Sequence, residues 1–126
     1  MTNEPIMITL RQIRYKNPCE DGWRKILKAR GRRKKGHLDV AFPLADALDS
    51  NGLDDTLWAL RCLPEHNALW RLYAVWCARR VQHLMTSERS VNALNVAERY
   101  ARGEATGGEL ASARAAARAA DMDADM

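Results

Sequence analysis

A run of apolar residues at helical spacing most constrains what this chain can fold into. Its members recur along one segment and are Leu69, Leu72, Tyr73, Trp76, Cys77, Val81 and Leu84. A repeat of three to four residues puts these side chains on one face of an α-helix. The pattern predicts a helix over residues 67–85 with this face buried, and we expect that helix to be the centre of the fold.

Capping patterns predict where two further helices begin. Thr9 with Gln12, and Thr106 with Glu109, have the spacing of a capping box, in which each side chain satisfies a backbone amide of the other residue. Leu10 and Ile13 would then face inward. The last helix is rich in alanine, and its small inward residues could pack on the chain itself or on a second copy. They are Leu110, Ala113, Ala117 and Ala120.

Turn residues divide the rest of the chain. Residues 19–31 have acidic residues near their start, basic residues near their end and a glycine at position 31. This order is typical of a helix that ends just before the glycine. Residues 30–37 hold glycine, arginine and lysine with no apolar residue, and we expect a solvated, mobile loop there. Pro43 fits the first position of a short helix over 43–49. A turn at 50–52 should precede a helix that Asp54 caps.

Composition sets the fold class. The chain has 126 residues, long enough for one core, and valine, isoleucine and phenylalanine are sparse beside leucine and alanine. We therefore predict an all-α fold, a single compact domain of five or six helices over residues 1–120. It would include a basic helix and loop at about 20–37 and end in an acidic, frayed tail at 121–126. A sheet would be unexpected.

Expectations about location follow from what the sequence lacks. It has no apolar stretch long enough for a membrane span, and no basic segment followed by an apolar run at the N-terminus. Its three cysteines, Cys19, Cys62 and Cys77, are widely separated and odd in number, which disfavours a disulfide framework. We expect a soluble protein of the reducing bacterial cytoplasm, with no membrane partner.

Charge is distributed unevenly and marks the strongest candidate site. Eleven basic and three acidic residues occur up to His37, a balance of +8, whereas the remainder carries −4. The candidate partner-binding or nucleic-acid-binding residues are Lys28, Arg30, Arg32, Arg33, Lys34 and Lys35. Clustered cations of this kind neutralise phosphates or acidic surfaces. A solvated loop that only aids solubility would have the same composition.

Trp70 is an additional candidate. It falls outside the apolar run of the central helix and has Arg71 beside it, whereas Trp58 and Trp76 occupy positions typical of a core. An exposed tryptophan near arginine is typical of a protein interface. Burial of Trp70 beneath the N-terminal helices is the alternative.

Neither a metal site nor a catalytic site is expected. Cys62, His66, Cys77 and His83 are possible zinc ligands by type, but their spacing is poor for a tetrahedral site. Cys19 is the only thiol near a helix N-terminus, where its pKa could fall. The paired carboxylates at 20–21 and 54–55 fall in first helical turns, where they stabilise the helix dipole without doing chemistry. We therefore predict a protein that is not an enzyme and has no cofactor.

About half of the chain resembles a known family. The segments WRLYAVWCARR at 70–80, AERYARGEAT at 97–106 and ELASARAAARAA at 109–120 resemble the helical immunity-protein family and related small proteins of bacteriophages and prophages. The N-terminal segments ITLRQIR at 8–14, PCEDG at 18–22 and SNGLDDTLWALR at 50–61 are similar to uncharacterised phage proteins. These motifs contain caps, turns and core residues.

The resemblance implies a protein of a mobile genetic element that acts by binding another protein. We expect it to inhibit a host protein or ribonucleoprotein complex, such as a CRISPR surveillance complex, as an anti-CRISPR inhibitor does. One alternative is a nucleic-acid-binding accessory protein that grips the phosphate backbone through the basic loop. Another is an immunity protein that neutralises a toxin. The partner's identity, the stoichiometry and the oligomeric state stay open.

Overall fold

The computed structural model describes residues 4–30 and 36–124 of the chain. These residues contain six α-helices and one small antiparallel sheet, which confirms the all-α class. The elements are β1 (Met7–Ile8), α1 (Leu10–Tyr15), α2 (Glu20–Arg30), β2 (Phe42–Pro43), α3 (Ala45–Ala59), α4 (Asn67–Arg79), α5 (Glu88–Ala101) and α6 (Gly107–Ala124). Short 3-10 turns lie at His37–Asp39, Leu60–Cys62, Pro64–His66 and Gln82–Leu84.

The chain divides into two compact units, Met1–Pro64 and Glu65–Met126. The first, the N-terminal unit, contains the sheet and α1 to α3. The second, the C-terminal unit, contains α4 to α6. The sequence-based expectation of one domain over residues 1–120 stays a prediction.

In the N-terminal unit the first capping box is confirmed. The backbone N–H of Gln12 donates to Oγ1 of Thr9 at 3.2 Å, and the N–H of Thr9 donates to the Gln12 side chain at 2.8 Å. As predicted, Leu10 and Ile13 are buried. α1 ends before Asn17, which adopts a positive φ of 55°. A residue that precedes proline is disfavoured in the right-handed helical region, in agreement with the predicted end of this helix.

The small sheet corrects the prediction for Pro43. β2 pairs antiparallel with β1, so that Pro43 lies opposite Met7 and Phe42 opposite Ile8. Pro43 is therefore in a strand and does not begin a helix. Proline fits this short strand because extended backbone suits its fixed φ. Phe42 and Ile8 are each 1% exposed, and the burial of this pair accounts for a sheet that sequence periodicity did not predict.

The helix that follows contains the predicted turn. α3 runs from Ala45 to Ala59, but Gly52 within it has φ 85° and ψ 177°, outside helical space. Only glycine adopts this conformation readily, because it has no Cβ. The turn predicted at residues 50–52 is therefore confirmed as a kink at Gly52 that separates two helical segments.

The C-terminal unit is built from three helices and a second capping box. The N–H of Glu109 donates to Oγ1 of Thr106 at 3.1 Å, as predicted. Val96 of α5 and the inward residues Leu110 and Ala113 of α6 form a buried cluster. Their small size lets the two helices approach closely. α6 continues to Ala124, four residues into the segment expected to fray, and Asp123 lies 3.8 Å from Arg89.

The burial of α4 reverses the sequence-based prediction. α4 ends at Arg79, followed by the 3-10 turn at Gln82–Leu84, and its only buried residue is Val75. Most residues of the predicted buried face are exposed: Leu69, Tyr73, Trp76, Cys77, Val81 and Leu84. A different side of α4 packs in this unit: Val75 is 5% exposed and lines a cavity with Leu94 of α5. The larger side chains of Leu69, Tyr73 and Trp76 remain outside.

Candidate functional site

The predicted basic site begins in the last turn of α2. Lys28 is exposed and makes no ion pair with any residue that the structure describes. Arg32, Arg33, Lys34 and Lys35 lie outside the described residues. The structure therefore fixes where this basic segment starts.

Arg30 is held by two contacts within the N-terminal unit. Its guanidinium lies 4.3 Å from the centre of the Phe42 ring and 3.5 Å from the Asp46 carboxylate. Its side chain is only 30% exposed. The first contact is a cation–π interaction and the second an ion pair, and together they attach the end of α2 to β2 and to the start of α3. Arg30 therefore holds the end of α2 within the N-terminal unit.

Several other cations of the N-terminal unit are paired with carboxylates. Arg24 lies 2.8 Å from Glu20, and Lys25 lies 3.1 Å from Asp21, one helical turn away in each case. These carboxylates partly neutralise the outer surface of α2, although exposed ion pairs are weak. The described cations on α1 and α2 without such a pair are Arg14 and Lys28, together with Lys16 just after α1.

The strongest of these pairs joins Arg11 to Asp39. Arg11 donates from Nε to one oxygen of Asp39 at 2.6 Å and from a terminal nitrogen to the other at 3.1 Å. These hydrogen bonds and the positive charge of Arg11 lower the pKa of Asp39. The same hydrogen bonds and the negative charge of Asp39 raise the pKa of Arg11. Two parallel bonds fix the orientation of both groups. The pair links α1 to the turn at His37–Asp39, which follows the basic segment.

A cleft that the sequence did not reveal lies between α2 and α3. Its cavity volume is about 90 Å³. Its apolar walls include Ile13, Ile26, Ala47 and Trp58. Asn51 donates from its side-chain amide to the carbonyl of Gly22 at 2.8 Å and to Asp55 at 3.1 Å. A glycine within a helix is the one sequence signal that could have indicated this close approach.

The polar groups of this cleft bond mainly to one another. The sulfur of Cys19 accepts the N–H of Gly22 at 3.3 Å, and a Cβ at position 22 would lie 3.0 Å from Oδ2 of Asp55. The described residues that line the cleft include no histidine, so Cys19 lacks a neighbouring base of the kind that activates a nucleophilic thiol. The arrangement stabilises the packing of α2 on α3.

The remaining thiols do not form a metal site with the histidines. Within residues 4–30 and 36–124, no three histidine, cysteine or acidic side chains are grouped so as to hold a metal ion. Burial raises the pKa of the Cys62 thiol, which disfavours the thiolate that a metal or a nucleophilic reaction needs. Cys77 is exposed, and its hydrogen bond with Tyr73 raises the pKa of that phenol.

The tryptophans differ from their predicted environments. Trp70 is half-buried, and its ring lies 5.6 Å from that of His66 at an angle of 60°. Trp76, predicted to be a core residue, is 54% exposed, and Trp58 is half-buried against Arg61. The tryptophan available to a partner is therefore Trp76 more than Trp70. Periodicity alone could not distinguish the two faces of α4.

Comparisons with known proteins do not extend this description of the site. No known family, curated protein or solved structure matches the chain. In the part of the chain that the structure describes, every helix is too short or too polar to cross a membrane.

Proposed function

We propose that this chain is a non-enzymatic protein of a bacteriophage or other mobile element that binds and inhibits a host protein complex. The contact would be made by the exposed end of α2 and the basic segment after it, against an acidic surface of the partner. The observation that carries the proposal is the position of Lys28, which is exposed and has no described ion-pair partner, just before five more cations in the next seven residues.

Anchoring of this segment supports a specific contact. Arg30 is held by Phe42 and Asp46 on one side of the segment, and Asp39 is held by Arg11 on the other. The residues on the two sides of the basic segment, Arg30 and Asp39, are therefore held within the N-terminal unit. Fixed ends reduce the conformational entropy that the segment loses when a partner binds.

Pairing of the neighbouring cations favours a protein partner over a nucleic acid. A protein that grips the phosphate backbone needs several free cations spread along its surface. In the described part of the N-terminal unit, Arg11, Arg24 and Lys25 are instead paired with carboxylates, which repel phosphate. A short basic segment beside a mixed-charge surface is better suited to an acidic patch on a protein.

The proposal also names the kind of host protein that is bound. Resemblance to small phage proteins and to immunity proteins suggests a partner in bacterial defence, with a CRISPR ribonucleoprotein as the leading candidate. Inhibition by a small binding protein needs no catalysis, because covering a functional surface is sufficient. Neutralisation of a toxin would use the same kind of contact with a different partner.

Two variants with equal loss of charge test the proposal. In one, Arg32, Arg33, Lys34 and Lys35 are changed to alanine. In the matched control, Arg14, Lys16, Arg24 and Lys25 are changed to alanine. Each protein is expressed in bacteria with an active CRISPR system, and plaque formation by a targeted phage is counted. The purified proteins are also titrated with the surveillance complex, with and without nuclease.

The proposal expects plaques with the wild type and the control, few plaques with the first variant, and complex binding that survives nuclease. Failure of the wild type to restore plaques would reject the CRISPR target. Binding of free DNA or RNA at low salt, lost in the first variant and kept in the control, would instead support the nucleic-acid alternative. Rescue of cells from a toxin, without plaques, would support the immunity-type alternative.

A further inference from the structure

One face of α4 carries large apolar side chains between two opposite charges. Glu65, Leu69, Tyr73, Trp76 and Arg80 recur at intervals of four, four, three and four residues. We refer to these five residues as the α4 stripe. At 100° per residue, Leu69, Tyr73, Trp76 and Arg80 fall on one side of the helix, and Glu65 precedes them in the 3-10 turn. The three apolar members are 46%, 42% and 54% exposed, respectively.

The stripe is not needed for the core of its own unit. On the side of α4 that packs within the unit, Val75 is 5% exposed and lines a cavity with Leu94, and Arg79 lies 3.8 Å from Glu98 of α5. These residues lie roughly a quarter to a third of a turn away from the stripe. Contiguous exposed apolar surface of this kind commonly marks an interaction site.

Contacts within the stripe also restrain its side chains before any partner binds. The rings of Tyr73 and Trp76 lie nearly parallel, 19° apart in tilt, with centres separated by 6.1 Å. The guanidinium of Arg80 lies 4.9 Å from the Trp76 ring centre. Stacking and the cation–π contact limit the rotamers of these side chains. Less entropy is then lost when a partner covers them.

We infer that the α4 stripe binds the α4 stripe of a second copy of this chain, with the two helices antiparallel about a two-fold axis. In that register Glu65 faces Arg80 of the other copy, Leu69 faces its Trp76, and the two Tyr73 side chains meet near the axis. The same contacts occur twice, as two-fold symmetry requires. This inference is independent of the proposed function.

Charge complementarity selects this occupant and this direction. The stripe is negative at its start and positive at its end, and neither Glu65 nor Arg80 forms an ion pair with a described residue. An antiparallel copy places an opposite charge at each end, whereas a parallel copy places like charges together. One pair of helices buries less surface than a typical stable dimer, so the association is weak and reversible.

Charge reversal in two separate copies tests this arrangement. In Glu65→Arg both ends of the stripe are positive, and in Arg80→Glu both are negative. Each variant alone should dimerise about 10-fold more weakly than the wild type, because both ion pairs become repulsive. An equal mixture of the two should recover dimers, since each positive end then meets a negative one. Sedimentation velocity over a concentration series, with reductant present, measures all four samples.

Trp76→Ala should weaken the dimer by about 30-fold, whereas Leu57→Ala, which removes an exposed leucine of α3, should leave it unchanged. Circular dichroism verifies that each variant is folded. A wild type that stays monomeric at every concentration would overturn the inference, including the case in which a different protein covers the stripe. Dimers that persist in both charge variants, with no gain on mixing, would overturn it as well.

Discussion

Large apolar side chains of the N-terminal and C-terminal units lie in opposite environments. In the N-terminal unit Ile8, Leu10 and Phe42 are each 1% exposed. In the C-terminal unit the buried cluster consists of smaller side chains, whereas Tyr73 and Trp76 are about half exposed. Phe42 thus belongs to the core of the first unit, whereas Tyr73 and Trp76 lie on the outer surface of the second. An apolar face therefore shows that something packs on it but leaves open whether the partner is the same chain.

Close helix packing explains the difference. α5 and α6 contact each other through small residues such as Ala97 and Ala113, and Val75 of α4 is buried beside Leu94 of α5. Small side chains allow short distances between helix axes. A tryptophan at the same contact would force the helices apart. The core of the unit therefore does not need Tyr73 and Trp76, which remain available for association.

The most damaging test of this comparison pairs Phe42→Ala with Trp76→Ala. Phe42 is 1% exposed, so its loss leaves a cavity and should lower the free energy of unfolding by about 3 to 5 kcal/mol. Trp76 is the larger residue, but its truncation should change the stability of the monomer by only about 0.5 kcal/mol. Urea denaturation of dilute samples, followed by circular dichroism, measures both. Equal losses would show that Trp76 belongs to a core and would end the comparison.

A second pair tests the orientation of α4 alone. Val75→Ala should cost about 2 kcal/mol, because Val75 is 5% exposed and loses its contact with Leu94. Leu69→Ala removes more atoms from the same helix, yet it should cost about 0.5 kcal/mol or less in dilute solution. Urea midpoints and slopes compare the two variants. A larger loss of stability in Leu69→Ala than in Val75→Ala would show that the face predicted from periodicity is the buried one.

How much of the structure the sequence predicts depends on whether the determining contact is local. The capping boxes at Thr9 and Thr106 are confirmed, because each involves residues three positions apart. The break at Gly52 is also predicted, since backbone conformation there depends on the glycine itself. The β1–β2 pair was missed because Ile8 and Phe42 are distant in sequence and each strand has two residues, too few for a periodic signal.

The candidate site shows the same division. The sequence indicates the charge of Lys28 and Arg30, but it cannot indicate that Asp46 and Phe42 hold Arg30, because those contacts depend on how α2 meets β2 and α3. For the same reason, the cleft beside Gly22 and the outward orientation of Trp76 were not predicted. Helical spacing assigns residues to faces, and only packing determines which face is covered.

The two capping boxes offer a smaller test, one in each unit. Thr9→Ala and Thr106→Ala should each lower the free energy of unfolding by about 1 kcal/mol, because a backbone amide at the start of a helix loses its acceptor. Replacement by serine keeps the hydroxyl and should preserve most of the stability. Urea denaturation of the four variants measures this. If the serine variants lost as much stability as the alanine variants, the effect would come from the threonine methyl group and not from the capping hydroxyl.

The smallest expected effect concerns Asp39 and depends on pH. Hydrogen bonds from Arg11 hold the pKa of Asp39 below its ordinary value, so the native state favours the ionised carboxylate. The pair therefore stabilises the fold above the carboxyl's ordinary pKa, and this contribution disappears as the pH falls through the lowered pKa. Asp39→Asn should be slightly less stable than the wild type at neutral pH and equally stable in strong acid.

Urea denaturation over an acidic pH series measures the difference between the two proteins, with Asp49→Asn on α3 as a matched change at an exposed aspartate. Added salt should also narrow the difference at neutral pH, because the Arg11–Asp39 pair is exposed to solvent. A difference that stays constant from acid to neutral pH would mean that Arg11 does not stabilise the charged form of Asp39. The turn at His37–Asp39 would then have to be attached to α1 by its apolar contacts, and the basic segment would lose one of its two electrostatic anchors.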